Sequence, residues 1–406
     1  MNNKVKASYR WYLLGVSVFA MLFAGIIYAW SILKVPFAND FGWTANQLSL
    51  NFTFTMCGFC LGGLLGSFLS KKIGVKPANL ISAVLAGSGM ALTGLLSAEN
   101  VIMLYVTYAA MAGIGIGIAY NVIISTVSAW FPDKKGLCTG ALMMGFGASS
   151  LILGNLSDSL FNSSLKRSGT YIVLGIALFV VLGLATLFLK RPNADNHLPK
   201  AEKKPKGRSE VFEHKDYSTK EMLKRFSFWR AFALFTFAAA VGNSVISFAR
   251  DLAISVGAGA ALATSLVGVL AVCNGLGRII TGALFDWLGR QKTMLIATIL
   301  TIVAATTTLI SVMTGSVGLC VAGLCLTGLS YGTCPTMGTA FVSAFYGQKH
   351  FASNFSVMNC HLICTSFMAT ACSSLQNSFG SYIAPFVLLL ALGVVALLLN
   401  LSIKKP

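Results

Sequence analysis

Residues 271–292, AVCNGLGRIITGALFDWLGRQK, contain the features that decide the fold. The first part is apolar and suits a helix in hydrocarbon, and the end is a short loop that carries Arg290 and Lys292. Arg278 interrupts the apolar part. A guanidinium is always charged and is costly inside a membrane, so this residue requires a specific reason.

The composition of the whole chain is that of a membrane protein. The 406 residues are 56% hydrophobic and 10% charged, whereas soluble proteins carry about 25% charged residues. Several apolar runs reach the roughly 20 residues that a helix needs to cross a bilayer. We predict an all-α membrane protein with twelve spans, at about 11–33, 46–69, 77–97, 102–129, 136–160, 169–189, 228–249, 261–285, 293–313, 317–345, 351–377 and 381–403.

The basic residues indicate the orientation. The net charge is +18, and Lys and Arg cluster in alternate short loops, such as Lys71, Lys72 and Lys76 after the second span. This distribution follows the positive-inside rule and predicts that both termini are cytoplasmic, in the inner or plasma membrane. Aromatic residues do not interleave with the basic ones, which argues against a nucleic-acid surface.

The chain divides into three predicted parts: a six-helix bundle at 1–189, a cytoplasmic linker at 190–227 and a second six-helix bundle at 228–406. Near the end of the polar linker, Ser218 and Glu221 have capping-box spacing, which predicts a short amphipathic helix. The halves also repeat faintly, because SFLSKKIGVKP follows the second span and GALFDWLGRQK follows the eighth. Transporters built from such repeats bind substrate between them, near the membrane midplane.

The motifs of enzymes and of metal sites are absent from the sequence. No serine, cysteine or histidine constellation indicates hydrolysis, and no Walker-type loop indicates direct use of ATP. All ten cysteines lie in apolar runs, where the CGFC motif at 57–60 fits helix packing better than redox chemistry. We therefore predict no enzymatic activity, no disulfide, no metal site and no cofactor.

Arg278 is the one charge placed in the middle of a predicted span. It precedes Asp286 by eight residues, which is about 12 Å of helix. A planar guanidinium donates two parallel hydrogen bonds to a carboxylate, which favours a substrate anion over the alternative, an internal salt bridge or carbonyl contacts. Asn274 lies one turn earlier on the same face, where it adds a donor to the anion, orients the guanidinium or bonds to another helix.

Four further polar residues lie deep in the predicted spans. A buried tyrosine hydroxyl needs a partner, so Tyr28, Tyr120 and Tyr331 either face a neighbouring helix or line a cavity. His361, the one histidine in a predicted span, is either a protonatable cavity residue or a hydrogen-bonded packing residue.

Several motifs resemble a known family. GALFDWLGRQK is similar to the loop signature of the major facilitator superfamily, with Asp286, Gly289 and Arg290 on the pattern, whereas Lys71 occupies the acidic position of the first-half copy. Within that superfamily the chain resembles the oxalate/formate antiporter family, relatives of monocarboxylate transporters. The stretches that carry this resemblance are FGWTANQLSLNFT (41–53), AWFPDKKGLCTG (129–140), DYSTKEMLKRFSFW (216–229) and NGLGRIITGALFDWLGR (274–290).

The resemblance implies roles for the candidate residues. It implies that Arg278 binds a carboxylate, that Tyr28, Tyr120 and Tyr331 line the cavity, and that the Asp286–Gly289–Arg290 loop takes part in gating. Proton-coupled relatives have an aspartate where this chain has Asn274, so proton symport does not carry over directly. Oxalate carriers have a lysine on span eleven, where this chain has only His361 nearby.

The sequence therefore predicts a secondary transporter that moves a small monocarboxylate, of the lactate, pyruvate or formate type, by alternating access. A single fixed positive charge matches one carboxylate better than two. The alternatives are an oxalate:formate-type antiporter and a membrane sensor without transport. Protons are one candidate coupling ion, and the family resemblance implies a monomer.

Overall fold

The computed structural model describes residues 8–98, 100–192 and 216–403, and all regular structure in them is helical. Within these residues, 12 helices are long and apolar enough to cross a membrane, which confirms the predicted number of spans. Spans 1 to 6 are Ser8–Leu33, Leu50–Lys72, Val75–Gly94, Val101–Ser128, Lys135–Phe161 and Lys166–Phe188. Spans 7 to 12 are Phe226–Ser255, Ala260–Leu288, Arg290–Thr314, Val317–Tyr346, Phe351–Phe379 and Ile383–Ser402.

Local sequence explains why these segments are helical and where they end. The mean hydropathy of the spans lies between 1.2 and 2.6. In lipid, a single segment satisfies all its backbone hydrogen bonds internally only as a helix. The helix of span 2 begins at Ala45, after a capping box formed by Thr44 and Gln47. Span 9 ends at Thr314, directly before Gly315, whose φ of +64° is the left-handed conformation that glycine adopts without strain.

Several spans depart from the continuous helices that hydropathy predicts. Span 1 consists of Ser8–Ala24, a 3₁₀ segment at Gly25–Ala29 and Trp30–Leu33. Span 4 consists of Val101–Leu104, a π-helical segment at Tyr105–Ala112 and Gly113–Ser128. Span 11 consists of Phe351–Asn359 and His361–Phe379, and span 7 has a non-helical Phe248 before its last turns. Hydropathy has no term for hydrogen-bond register, so these interruptions leave no signal in it.

The first of two compact units takes in the described parts of residues 1–138, 145–203 and 355–360. Spans 2 and 4 approach closely in it, because a Cβ at Gly62 would collide with the carbonyl oxygen of Ile114 and a Cβ at Gly117 with that of Phe59. Small residues at such a crossing allow backbone-to-backbone packing between membrane helices.

A short piece of span 11, residues 355–360, also belongs to the first unit. Ser356 holds it there, since its Oγ donates to the carbonyl oxygen of Gly63 at 2.8 Å. The Nδ2 of Asn121 donates in turn to Ser356 Oγ at 2.7 Å. Both bonds are buried, where polar groups require partners.

The second unit takes in the described parts of residues 139–144, 204–354 and 361–406. Spans 8 and 10 pack closely in it, because a Cβ at Gly277 would collide with the carbonyl oxygen of Leu329, and one at Gly328 would lie 2.5 Å from that of Leu270. The predicted boundaries at 1–189, 190–227 and 228–406 stay a prediction. Residues 193–215 of the linker lie outside the described residues, as do residues 1–7 and 404–406, and the orientation of the termini also stays a prediction.

In each unit an ionic group anchors the loop that follows the fourth span of that half. In the first unit, Arg10 makes a bidentate contact with Asp133, at 2.6 and 3.2 Å. In the second unit, Oδ1 of Asp216 accepts hydrogen bonds from the backbone N–H groups of Gln348 and Lys349, at 2.9 and 3.1 Å. The two similar loops are therefore held by unrelated contacts.

The short helix predicted before span 7 is confirmed at Thr219–Leu223. Ser218 and Glu221 form the predicted capping box, in which each side chain bonds to the backbone N–H of the other residue.

The packing of spans 2 and 4 predicts a stability difference between two Gly→Ala variants. Gly62→Ala should lower Tm, because forcing a methyl group into a packed core costs about 1–3 kcal/mol. Gly183→Ala in span 6 should keep or raise Tm, because a Cβ added there would have no atom within 4 Å and alanine favours a helix by about 0.5–1 kcal/mol. Thermal unfolding of both purified variants in detergent measures the difference, and equal Tm values would contradict the packing.

Candidate functional site

Arg278 lies inside span 8 and is 1% exposed, which makes it one of the largest fully buried side chains. Its Nη1 donates to the carbonyl oxygen of Met143, and its Nε donates to Oδ1 of Asn274 at 3.3 Å. The spacing of four residues places Asn274 on the same helix face, as the sequence predicts. Asn274 thus orients the guanidinium from one side and Met143 from the other.

Arg278 has no acidic partner at salt-bridge distance in the part of the chain that the structure describes. Within residues 8–98, 100–192 and 216–403, no carboxylate lies at salt-bridge distance from its guanidinium. Arg10 and Arg167, by contrast, contact Asp133 and Asp40 at 2.6 and 3.4 Å. A buried cation compensated only by neutral oxygens carries a desolvation cost that a carboxylate would reduce.

Two glycines bring other backbone segments against the backbone of Arg278. A Cβ at Gly140 would lie 2.6 Å from the carbonyl oxygen of Arg278. A Cβ at Gly332 of span 10 would collide with the carbonyl oxygen of Asn274 and would lie 3.1 Å from the backbone nitrogen of Arg278. Because these two glycines have no side chains, their backbones pack directly against this turn of span 8 and fix its position.

Tyr331 and His361 also belong to the second unit and contact span 7. Tyr331 is 5% exposed, and its ring lies where a Cβ at Gly242 would be. His361 is 3% exposed, with ring centroids 6.3 and 6.2 Å from those of Phe232 and Phe235. Tyr331 directly precedes Gly332, the glycine that packs against the backbone of Asn274 and Arg278. The ring of His361 instead contacts phenylalanines of span 7.

The other two candidate tyrosines lie in the first unit, in an aromatic cluster of Tyr28, Phe59, Tyr120, Phe146 and Phe355. The rings of Tyr28 and Tyr120 each meet Phe146 edge-on, with centroids 5.3 and 5.0 Å apart. Phe59 contacts Tyr120 at 4.9 Å, and Phe355 stacks on Tyr120 at 5.8 Å. Such edge-to-face contacts fix ring orientation. The structure therefore brings these two tyrosines together, through a phenylalanine that the sequence does not single out.

The predicted gating residues lie at the junction of spans 8 and 9. Asp286 is in the last turn of span 8, and Gly289 has a φ of +76°, which suits glycine at a tight connection. Arg290 begins span 9 and is 7% exposed, with its guanidinium carbon 4.7 Å from the ring centroid of Phe345. This cation–π contact anchors the connection to span 10.

Sequence reasoning missed Met143, Gly140 and Gly332. Met143 acts through its backbone carbonyl, a group that every residue has, so its identity carries no signal. The two glycines lie among many others in apolar runs. In the stretch LSYGTCP, the hydroxyl group of Tyr331 suggests a functional residue, whereas the neighbouring Gly332 has no functional group to suggest one.

Two solved transporter structures are similar to this chain in fold. The proton:xylose symporter XylE has a TM-score of 0.74 at 14% sequence identity, covering 98% of this chain and 96% of that one. FucP has a TM-score of 0.69 at 17% identity, covering 97% and 98%. The likeness confirms the predicted twelve-helix fold and, at these identities, extends no further than the fold.

Sequence relatives include transporters of bacteria and mammals. The uncharacterized MFS-type transporter YhjX of Escherichia coli (strain K12) is 25% identical over 86% of this chain and 84% of its own length. The oxalate:formate antiporter of Oxalobacter formigenes is 26% identical over 70% of this chain and 65% of its own length. Monocarboxylate transporter 2 of Rattus norvegicus is 28% identical over 49% of this chain and 40% of its own length.

The family assignment follows from a match over most of the chain. The family model described as Major Facilitator Superfamily matches residues 13–362, which include Arg278, Asn274 and the predicted gating residues. Members of this superfamily are membrane transporters of small solutes rather than enzymes. This chain, with its 12 candidate spans, belongs to the Major Facilitator Superfamily and is a multi-pass secondary transporter.

Proposed function

We propose that this transporter moves a small monocarboxylate, of the lactate, pyruvate or formate type, and that Arg278 binds the carboxylate. The observation that carries the proposal is a fully buried guanidinium compensated only by two neutral oxygens among the described residues. Intramembrane charges of this kind mark substrate pathways.

A carboxylate would compensate Arg278 better than its present partners do. The Met143 carbonyl and the Asn274 amide offer dipoles, whereas a carboxylate offers a full negative charge and two acceptor oxygens. Arginine donates through five N–H groups, and the two hydrogen bonds of Arg278 leave donors for an anion. We propose that the substrate displaces the Met143 carbonyl from Nη1, while Asn274 continues to hold Nε.

The charge count favours one carboxylate over two. A dicarboxylate would need a second cation beside Arg278, and the histidine that the sequence offers, His361, contacts the rings of Phe232 and Phe235. Oxalate:formate exchange is the second candidate function, because this chain is similar to the Oxalobacter antiporter over 70% of its length. Tyr28, Tyr120 and Tyr331 remain proposed substrate contacts.

Asn274 bears on the coupling mechanism. Its amide has no titratable proton, so this position does not couple transport to protons. Its contact with Arg278 Nε assigns it an orienting role in the proposal.

Replacement of Arg278 should abolish carboxylate binding. Arg278→Ala removes the charge, and truncation of one partner of a buried charged hydrogen bond costs about 2 kcal/mol or more, or about 30-fold in affinity. Arg278→Lys should also fail, because a lysine cannot reproduce the two parallel bonds. Uptake of radiolabelled lactate, pyruvate and formate into proteoliposomes measures the effect.

The matched control is Arg230→Lys at the start of span 7, where the arginine Nη1 donates to the carbonyl oxygen of Ser402. This variant should transport like the wild type. Wild-type uptake by Arg278→Ala would contradict the proposed role, and wild-type binding in detergent without any uptake would favour a sensor.

The packing of Gly332 should be required for the geometry of Arg278. Gly332→Ala places a methyl group against the backbone between Asn274 and Arg278, so we expect a raised KM for the transported carboxylate in a protein that still inserts. Gly338→Ala is the control on the same helix, since a Cβ added at that position would have no atom within 4 Å. Equal KM values for the two variants would show that Gly332 does not position the site.

A thermal-shift series should separate the two candidate substrates. A ligand that binds the folded state raises apparent stability by mass action. Lactate, pyruvate and formate should therefore raise Tm more than oxalate at equal concentration and neutral pH, and the shift should vanish in Arg278→Ala. A larger shift with oxalate, together with oxalate counterflow in proteoliposomes, would favour the exchanger.

A further inference from the structure

The described structure places Cys60 of span 2 beside the backbone of Cys360 of span 11, and transport itself requires neither thiol. The Sγ of Cys60 donates to the carbonyl oxygen of Asn359 at 3.4 Å, and this carbonyl forms the peptide bond to Cys360. Cys273 of span 8 and Cys325 of span 10 serve as a comparison. All four are thiols rather than halves of a disulfide. Residues this close need little movement to reach the Cβ separation of a disulfide.

The backbone at Cys360 favours the first pair as a reactive site. The helix Phe351–Asn359 ends directly before it, and the next helix begins at His361. The backbone N–H of Cys360 donates to the carbonyl oxygen of Val357 at 3.2 Å, in a tight turn. A residue at such a break adjusts its Cα–Cβ direction more readily than one inside a continuous helix, which helps it to reach disulfide geometry.

The two thiols differ in accessibility and therefore in role. Cys60 is 2% exposed, and its Sγ donates to the carbonyl oxygen of Asn359 at 3.4 Å. Cys360 is partly exposed. A small oxidant therefore reaches Cys360 first, and Cys60 is placed to resolve the product.

We propose that Cys60 and Cys360 form a reversible thiol–disulfide site that arrests transport when it is oxidised. A small-molecule disulfide is the oxidant: Cys360 attacks one of its sulfurs and releases the first small thiol, leaving a mixed disulfide. Cys60 then attacks the Cys360 sulfur and releases the second small thiol. The two protein thiols lose two electrons and two protons, which appear in the two small thiols.

The arrest follows from the place of the two cysteines in the duplicated chain. Span 11 is divided between the compact units: residues 355–360 group with span 2 in the first unit, and the rest of the span belongs to the second. Hydrogen bonds such as that of Ser356 attach this segment to the first unit, and such bonds can break when alternating access moves one repeat against the other. A Cys60–Cys360 disulfide makes the attachment covalent and opposes that movement. Cys273 and Cys325 lie on spans 8 and 10 of the same half, where a Cβ at Gly328 would lie 2.8 Å from Cβ of Cys273, so a bond there joins helices that are already packed.

The experiment treats the full-length protein in proteoliposomes with hydroxyethyl disulfide, and then with dithiothreitol. Mass spectrometry of peptides should detect a Cys60–Cys360 disulfide, with loss of lactate uptake that dithiothreitol restores. Cys360→Ser should be insensitive to the oxidant, whereas Cys273→Ser should remain sensitive. Serine is close in size to cysteine, so both variants keep their packing.

A second readout separates this proposal from the choice of substrate. Hydrogen–deuterium exchange of peptides from spans 2 and 11 should slow on oxidation and recover on reduction, whether or not lactate is transported. Absence of lactate uptake in the reduced wild type would count against the proposed substrate alone. Failure to form the Cys60–Cys360 bond, or its formation with uptake and exchange unchanged, would overturn the redox proposal.

Discussion

A buried guanidinium is the constraint on which the second unit depends. Arg278 is 1% exposed, and its hydrogen bonds go to a backbone carbonyl and an amide oxygen. Both partners are dipoles, so much of the positive charge stays uncompensated in surroundings of low dielectric constant. Close backbone approach at Gly140 and Gly332 presents this charge in one geometry. In the proposed function, this uncompensated charge favours a bound anion, and the two glycines fix the backbone beside it.

The first unit uses the same kind of packing for a different purpose. Gly62 and Gly117 allow spans 2 and 4 to meet backbone to backbone. No buried cation accompanies this crossing in the residues that the structure describes. Its chemistry is aromatic instead, with Tyr28 and Tyr120 both set against Phe146. The proposed substrate contacts thus differ in kind between the two units, with a buried charge in one and tyrosine rings in the other.

Span 11 connects the proposed transport activity with the proposed redox site. Its residues 355–360 belong to the first unit and the remainder to the second, and its helix is interrupted at Cys360, where one of the two divisions falls. Ser356 anchors the first part, and His361 begins the second among the rings of span 7. In the proposed alternating access, a helix divided in this way changes its contacts, and for that reason we place the proposed covalent lock there.

The sequence by itself determined the number of spans, the capping box at Ser218 and the shared face of Asn274 and Arg278. Each of these depends on residues within a few turns of one another, where hydropathy and helical periodicity act directly. Tertiary structure alone decided that the Met143 carbonyl is a partner of Arg278, that Phe146 joins Tyr28 to Tyr120 and that Cys60 contacts the backbone of span 11 at Asn359. These pairings join distant parts of the chain through backbone atoms, apolar rings or common small side chains. Such groups carry no distinctive spacing, so only the packing of the helices brings them together.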